Sequence, residues 1–200
     1  FLKVLDDSEV AYVLASRSNN DDAYMVGKIA VSQIQNLIIA YKERFDRNNF
    51  FQNLILDNLL LVDIYNRAQK LHIEVEGPRI VYLVETRLEK DSSGMELLRS
   101  LFSSQNGDYI TAVDEKNIIL IKAVERDASP ESLDLIANTI VDMMNSEAML
   151  KVRVSYGTVV QELREVSKSY KQATRARDVG RIRYAEKNVI AYSTLGIGRL

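Results

Sequence analysis

The chain has 200 residues, 46% of them hydrophobic and 27% charged, enough to bury a real core in one or two globular units. Two prolines and eight glycines exclude a collagen-like or disordered composition. A formal net charge of −2 argues against a basic, nucleic-acid-binding surface over the whole domain, and the absence of cysteine excludes disulfides, thiolate zinc sites and a Cys nucleophile.

Residues 1–18 alternate short apolar runs with turn residues. Asp6-Asp7-Ser8 reads as a turn and Val10 to Ala15 as a buried strand. One hairpin alone buries little surface, so its partner strands are expected from an absent segment or from another chain. Asn19-Asn20-Asp21-Asp22 supplies oxygens that accept the free N–H groups of a first helical turn. The helix that follows is expected to run to about Arg47. Tyr24, Val31, Ile34, Ile38, Tyr41 and Phe45 recur on it every three or four residues, with Gly27 in the one gap, and Val26, Ala30 and Leu37 add a second stripe. A helix apolar over so wide an arc is expected to bury two sides. Packing on its own domain and a coiled coil both suit it, although fewer than four heptads are visible. The six residues of the first stripe are the candidate interface of a homodimer.

Phe50-Phe51, Leu54-Ile55, Leu59-Leu60 and Ile64 continue the helical spacing to about Leu71. Asp46, Asn48 and Asn49 suit a break before this stretch, and Asp57-Asn58 with Asp63 suit a second. From Gly77-Pro78 the texture changes. Arg79 to Val84 predicts a strand, Ser92-Ser93 a short helix through Phe102, and Tyr109 to Val113 and Ile118 to Ala123 two strands joined by the hairpin Asp114-Glu115-Lys116-Asn117. Ser129-Pro130 opens a further helix with a capping Ser and Pro at the first position. Leu133, Ile136, Ala137, Ile140, Val141 and Met144 give it a buried face. Lys151 to Tyr156 is a strand ended by Gly157, Leu163 to about Val179 a helix, and Val189 to Tyr192 a final strand. The order β-α-β-β-α-β-α-β predicts an α+β fold, with helices on a mostly antiparallel sheet akin to the ferredoxin-like arrangement.

No apolar run approaches the roughly 20 residues of a membrane-spanning helix. Phe1-Leu2-Lys3-Val4 carries no initiator Met or signal-peptide layout, and the chain stops at Leu195-Gly196-Ile197-Gly198-Arg199-Leu200, as though entering another element. The sequence therefore reads as a piece of a longer protein.

The element order, with Val154-Ser155-Tyr156-Gly157 ending one strand and Ser169-Tyr170-Lys171-Gln172-Ala173 leading through Gly180 to Val189-Ile190-Ala191-Tyr192, resembles a GGDEF domain. More narrowly, the helix carrying Ala173 and Ala176 and the closing Tyr192 to Leu200 string resemble the middle domain of the sugar-diacid (CdaR) and PucR-like transcription regulators. Phe50 to Ile73, with Tyr65-Asn66-Arg67-Ala68-Gln69-Lys70-Leu71, resembles the helical lead-in to that domain. The resemblance spans roughly residues 50–200. Residues 1–45 look like the end of an upstream sensor.

This resemblance implies a cytoplasmic regulator with an N-terminal sensing part, this middle domain and a C-terminal helix-turn-helix that reads DNA. It also implies what a working diguanylate cyclase would carry. Such an enzyme has Gly-Gly-Asp/Glu-Glu-Phe at the hairpin between its second and third strands, where glycines admit a nucleotide and acids hold divalent metal. Here that hairpin reads Asp114-Glu115-Lys116-Asn117, with both glycines gone. Glu85, at the end of the first strand, stands where another metal carboxylate would be, so Glu85 with Glu115 is the only remnant of a Mg²⁺ site. His72 is the only histidine and reads as a helix-end residue rather than a ligand. Arg164, Lys168, Lys171, Arg175, Arg177, Arg181, Arg183 and Lys187 make the last helix and its loop basic, interleaved with Glu162, Glu165, Asp178 and Glu186. This is read as a solvated face, with an acidic partner preferred over DNA.

The expected organisation is 1–18 as the end of a sensor-like β segment, 19–75 as a helical linker and dimerisation region, 76–192 as a degenerate GGDEF-like domain, and 193–200 as the start of a connection to a missing DNA-binding domain. The expected role is a non-catalytic signal-transmission and dimerisation piece of a transcription regulator. It would have no cofactor or metal, a small-molecule effector upstream, and no membrane partner. A residual nucleotide-binding or cyclase-like domain is the alternative.

Overall fold

A computed structural model of the chain describes residues 1–6, 9–17, 22–86, 92–102 and 106–196. The Asp6-Asp7-Ser8 turn, the Asn19 to Asp22 cap and the closing string to Leu200 lie partly outside these residues. Two compact units are present, Phe1–Arg47 and Asn48–Leu200.

In the first unit, β1 (Leu2–Asp6) and β2 (Glu9–Leu14) form an antiparallel hairpin with a register shift between Val4 and Leu5. Val4 is buried, and Lys42 Nζ meets Asp6 Oδ1 at 2.6 Å. A Cβ on Gly27 would lie 2.7 Å from Leu2 Cδ1, so at that gap in the helical stripe the strand packs closely on the helix. The strand expected over Val10 to Ala15 forms, but it is not buried. Val10, Tyr12 and Val13 are all exposed, since a two-stranded hairpin buries little surface by itself.

Helix α1 (Asp22–Ile55) has 34 residues and crosses the division between the units. At about 1.5 Å per residue it is roughly 50 Å long. The break expected at Asp46, Asn48 and Asn49 is absent, and the side chains of Asn48 and Asn49 do other work than capping. Asn48 Oδ1 accepts from Thr111 Oγ1 at 2.7 Å, and Asn49 Oδ1 accepts from Arg67 Nη2 at 3.1 Å. Of the candidate interface residues, Val31, Ile34 and Ile38 are half-buried and Tyr24, Tyr41 and Phe45 are exposed. The helix thus does not bury two sides within its own unit.

The second expected break is real. Asn58 N–H donates to Asn53 O and Asp57 N–H to Leu54 O, the paired bonds of a Schellman ending, with Asp57 at φ 63°. After it comes α2 (Leu61–Lys70), which ends the same way: Ile73 N–H donates to Ala68 O and His72 N–H to Gln69 O, with His72 at φ 54°. His72 is therefore the helix-end residue its position suggested, and it is exposed.

The rest of the second unit comprises β3 (Glu76–Thr86), α3 (Ser92–Leu101), β4 (Tyr109–Ala112), β5 (Asn117–Ala123), α4 (Pro130–Ser146), β6 (Val152–Tyr156), β7 (Val160–Glu162), α5 (Val166–Arg183) and β8 (Val189–Ala191). Three-residue and four-residue 3₁₀ turns precede α5 and follow β8. The strand order is β4-β5-β3-β6-β8, all neighbours antiparallel except β6 and β8, with β7 pairing the start of β3. This is the α+β arrangement with the mostly antiparallel sheet that the sequence order predicts.

β3 is central and buried on both faces, and its alternation divides the core in two. Ile80, Tyr82 and Val84 pack with Leu98 of α3 and with Ala137, Ile140 and Met144 of α4. Val81 and Leu83 pack with Phe50, Phe51, Leu54 and Ile55 at the end of α1, with Ile64 and Ala68 of α2 and with Ala173 of α5. Each large side chain so buried contributes about 1.5–3 kcal/mol. Phe51 stacks on Tyr109 at 4.1 Å between centroids, and Gln52 Nε2 donates to Ala112 O at 2.7 Å, holding the end of α1 on the β4 edge. On the other face, Ser129 caps α4 by accepting from Ser132 N–H at 3.2 Å, with Pro130 next to it as the sequence indicates.

Candidate functional site: a basic cleft at the end of the central strand

The carboxyl-terminal end of β3, the β4–β5 hairpin, the start of β6 and the last turns of α5 converge. Register sets the pairings: Glu85 lies opposite Asn117 on β5 and opposite Arg153 on β6. Thr86 N–H donates to Lys116 O at 2.8 Å, and its hydroxyl to the same oxygen at 3.3 Å, closing the hairpin against β3. The result is a cleft of about 300 Å³ lined by Glu85, Thr86, Lys116, Arg153 and Arg181.

The hairpin itself is held by an Asx-type turn. Asp114 Oδ1 accepts from the amides of Lys116 and Asn117 at 2.8 Å each, and Asn117 Nδ2 donates to both carboxylate oxygens of Asp114. Burial pushes the Asp114 carboxyl up, but the Asn117 side chain, the two amides and the nearby Arg177 guanidinium outweigh it and hold the group below the ordinary carboxylate range. Arg177 Nη1 also donates to Asn117 Oδ1 at 3.3 Å. Asp114 is thus committed to shaping the turn.

Glu85, the carboxylate at the end of the first strand of the domain, is ion-paired with Arg181 of α5. Opposite it, Arg153 Nη2 donates to Ala185 O at 2.6 Å, and its buried Nε has no partner among the described residues. Among the described residues no group of three or more His, Asp or Glu side chains is arranged to hold a metal ion. The Glu85 and Glu115 pair noted in the sequence is therefore not part of any such group.

Among the described residues, four of the basic side chains named on the last helix and its loop are ion-paired, Arg181 with Glu85 as above. Arg164 meets Glu162 at 2.7 Å, Lys171 meets Asp57 at 2.6 Å and Arg177 meets Asp178 at 2.9 Å, while Lys168, Arg175, Arg183 and Lys187 are exposed. Lys171, by its hydrogen bond and its charge, draws the Asp57 carboxyl below its usual range, with burial acting weakly against it. Sequence reasoning missed Arg153. Its only signal was a charged residue inside the apolar strand Val152-Arg153-Val154, and nothing local said which neighbour it would face.

The small residues of α5 explain the remaining architecture of this end. Ala173 and Ala176 are fully buried, and a Cβ on Gly180 would lie 1.9 Å from Ile190 Cδ1 of β8. The helix therefore lies close enough on the sheet for Arg177 and Arg181 to reach the hairpin and the end of β3. With this geometry in view, the comparison with known families is decisive: residues 58–179 match the GGDEF-like domain. The chain belongs to the GGDEF-like domain family. Among curated proteins none matches it. Within a GGDEF-like domain, the cleft occupies the hairpin-and-first-strand corner where a cyclase would carry its glycines and metal carboxylates. Among the described residues, that corner holds an Asx turn, the ion-paired Glu85 and the basic side chains of Lys116, Arg153 and Arg181.

Proposed function

We propose that this GGDEF-like domain is a non-catalytic signal-transmission and dimerisation module of a transcription regulator of the sugar-diacid or PucR-like type. The observation that carries the non-catalytic reading is the state of the corner just described. A phosphoryl-transfer site needs metal-holding acids arranged around the phosphates. Here Asp114 is spent on the turn and Glu85 on Arg181, and lysine follows Glu115. The transmission reading rests on α1. Its residues 22–47 carry a long apolar surface within the first unit, and its final turns are built into the core of the GGDEF-like unit. A shift of such a helix between two packings would carry an upstream signal toward a DNA-binding part. The regulator would act in the cytoplasm. Among the described residues no helix is long and apolar enough to cross a membrane.

The test has two readouts on the intact protein. Incubation with GTP and Mg²⁺ is expected to yield no cyclic dinucleotide and no pyrophosphate; turnover would replace this reading with the residual-cyclase alternative. Light scattering is expected to give a dimer, and a monomer at high concentration would remove dimer-based transmission.

A further inference from the structure

We draw no further inference here: the strongest candidate, the exposed apolar side chains of Leu56, Leu60, Leu61, Val62 and Tyr65 at the turn between α1 and α2 and along the start of α2, carries nothing because nothing in the structure shows what covers it.

Discussion

Asp57, His72 and Met149 hold φ of 63°, 54° and 54°, and each lies just beyond a helix, α1, α2 and α4 respectively. A left-handed residue at this position turns the chain away and satisfies the last carbonyls, but a side chain there is opposed by its own Cβ. The three differ in what offsets that strain. The Asp57 carboxylate meets Lys171, whereas Met149 is 87% exposed and its side chain packs against almost nothing. Met149→Gly is therefore expected to stabilise the fold by about 0.5–1 kcal/mol, read as a higher urea midpoint with unchanged slope. Asp114 is the opposite case, a side chain whose loss leaves two turn amides without their acceptor. Asp114→Ala is expected to destabilise by about 1 kcal/mol, the net worth of such bonds at a partly exposed site. The pH dependence follows from its lowered pKa. That stabilisation is fully present above the ordinary carboxylate range and lost as pH falls through the depressed folded value, so the variant and the parent should converge in stability toward acid.

At the scale of elements, what the sequence disclosed was periodicity and punctuation. α4, β4, β5 and β6 were legible because a capping Ser-Pro, a four-residue hairpin and mostly apolar runs state them locally. What was not legible depended on distant partners. The polar run Asp46 to Asn49 looks like a helix break, and the hydroxyl of Thr111 and the guanidinium of Arg67, both distant in sequence, engage Asn48 and Asn49 within a continuous helix. β7 is three residues long and exists because Glu76 and Arg79 of β3 offer it an edge. The cleft was half visible: the hairpin and Glu85 were legible, but Arg153 and Arg181 join them only through register and helix packing. Gly157 shows the same dependence on close packing. A Cβ there would meet Ser169 O at 2.2 Å, backbone that cannot swing aside, while Ser169 Oγ accepts from Val81 N–H at 3.1 Å and donates to Thr158 O at 2.8 Å. Gly157→Ala forces α5 off β3 and β6 together. It is expected to destabilise by about 3 kcal/mol, the upper part of the range for overpacking, as measured by chemical denaturation.

For the whole molecule, the question is what covers α1. Burial of apolar surface is what repays the ordering of a helix this long, and isolated helices are marginal without it. Yet Tyr41 and Phe45, one turn apart on the same face, are 72% and 60% exposed. If a second copy covers them, the contact is symmetric and each residue is buried twice. At about 1.5–3 kcal/mol per side chain, four aromatic side chains carry enough energy to decide whether the dimer forms at micromolar concentration. Tyr41→Glu with Phe45→Glu is therefore expected to weaken self-association at least about a thousandfold, a change of roughly 4 kcal/mol. Because both side chains are exposed and lie outside the cores of the GGDEF-like unit, the thermal transition of that unit should stay within about 0.5 kcal/mol of the parent. Sedimentation equilibrium of parent and double variant, with melting curves beside it, reads both quantities. A variant that remains dimeric would move the interface off this face of α1, and with it the proposed route of the signal.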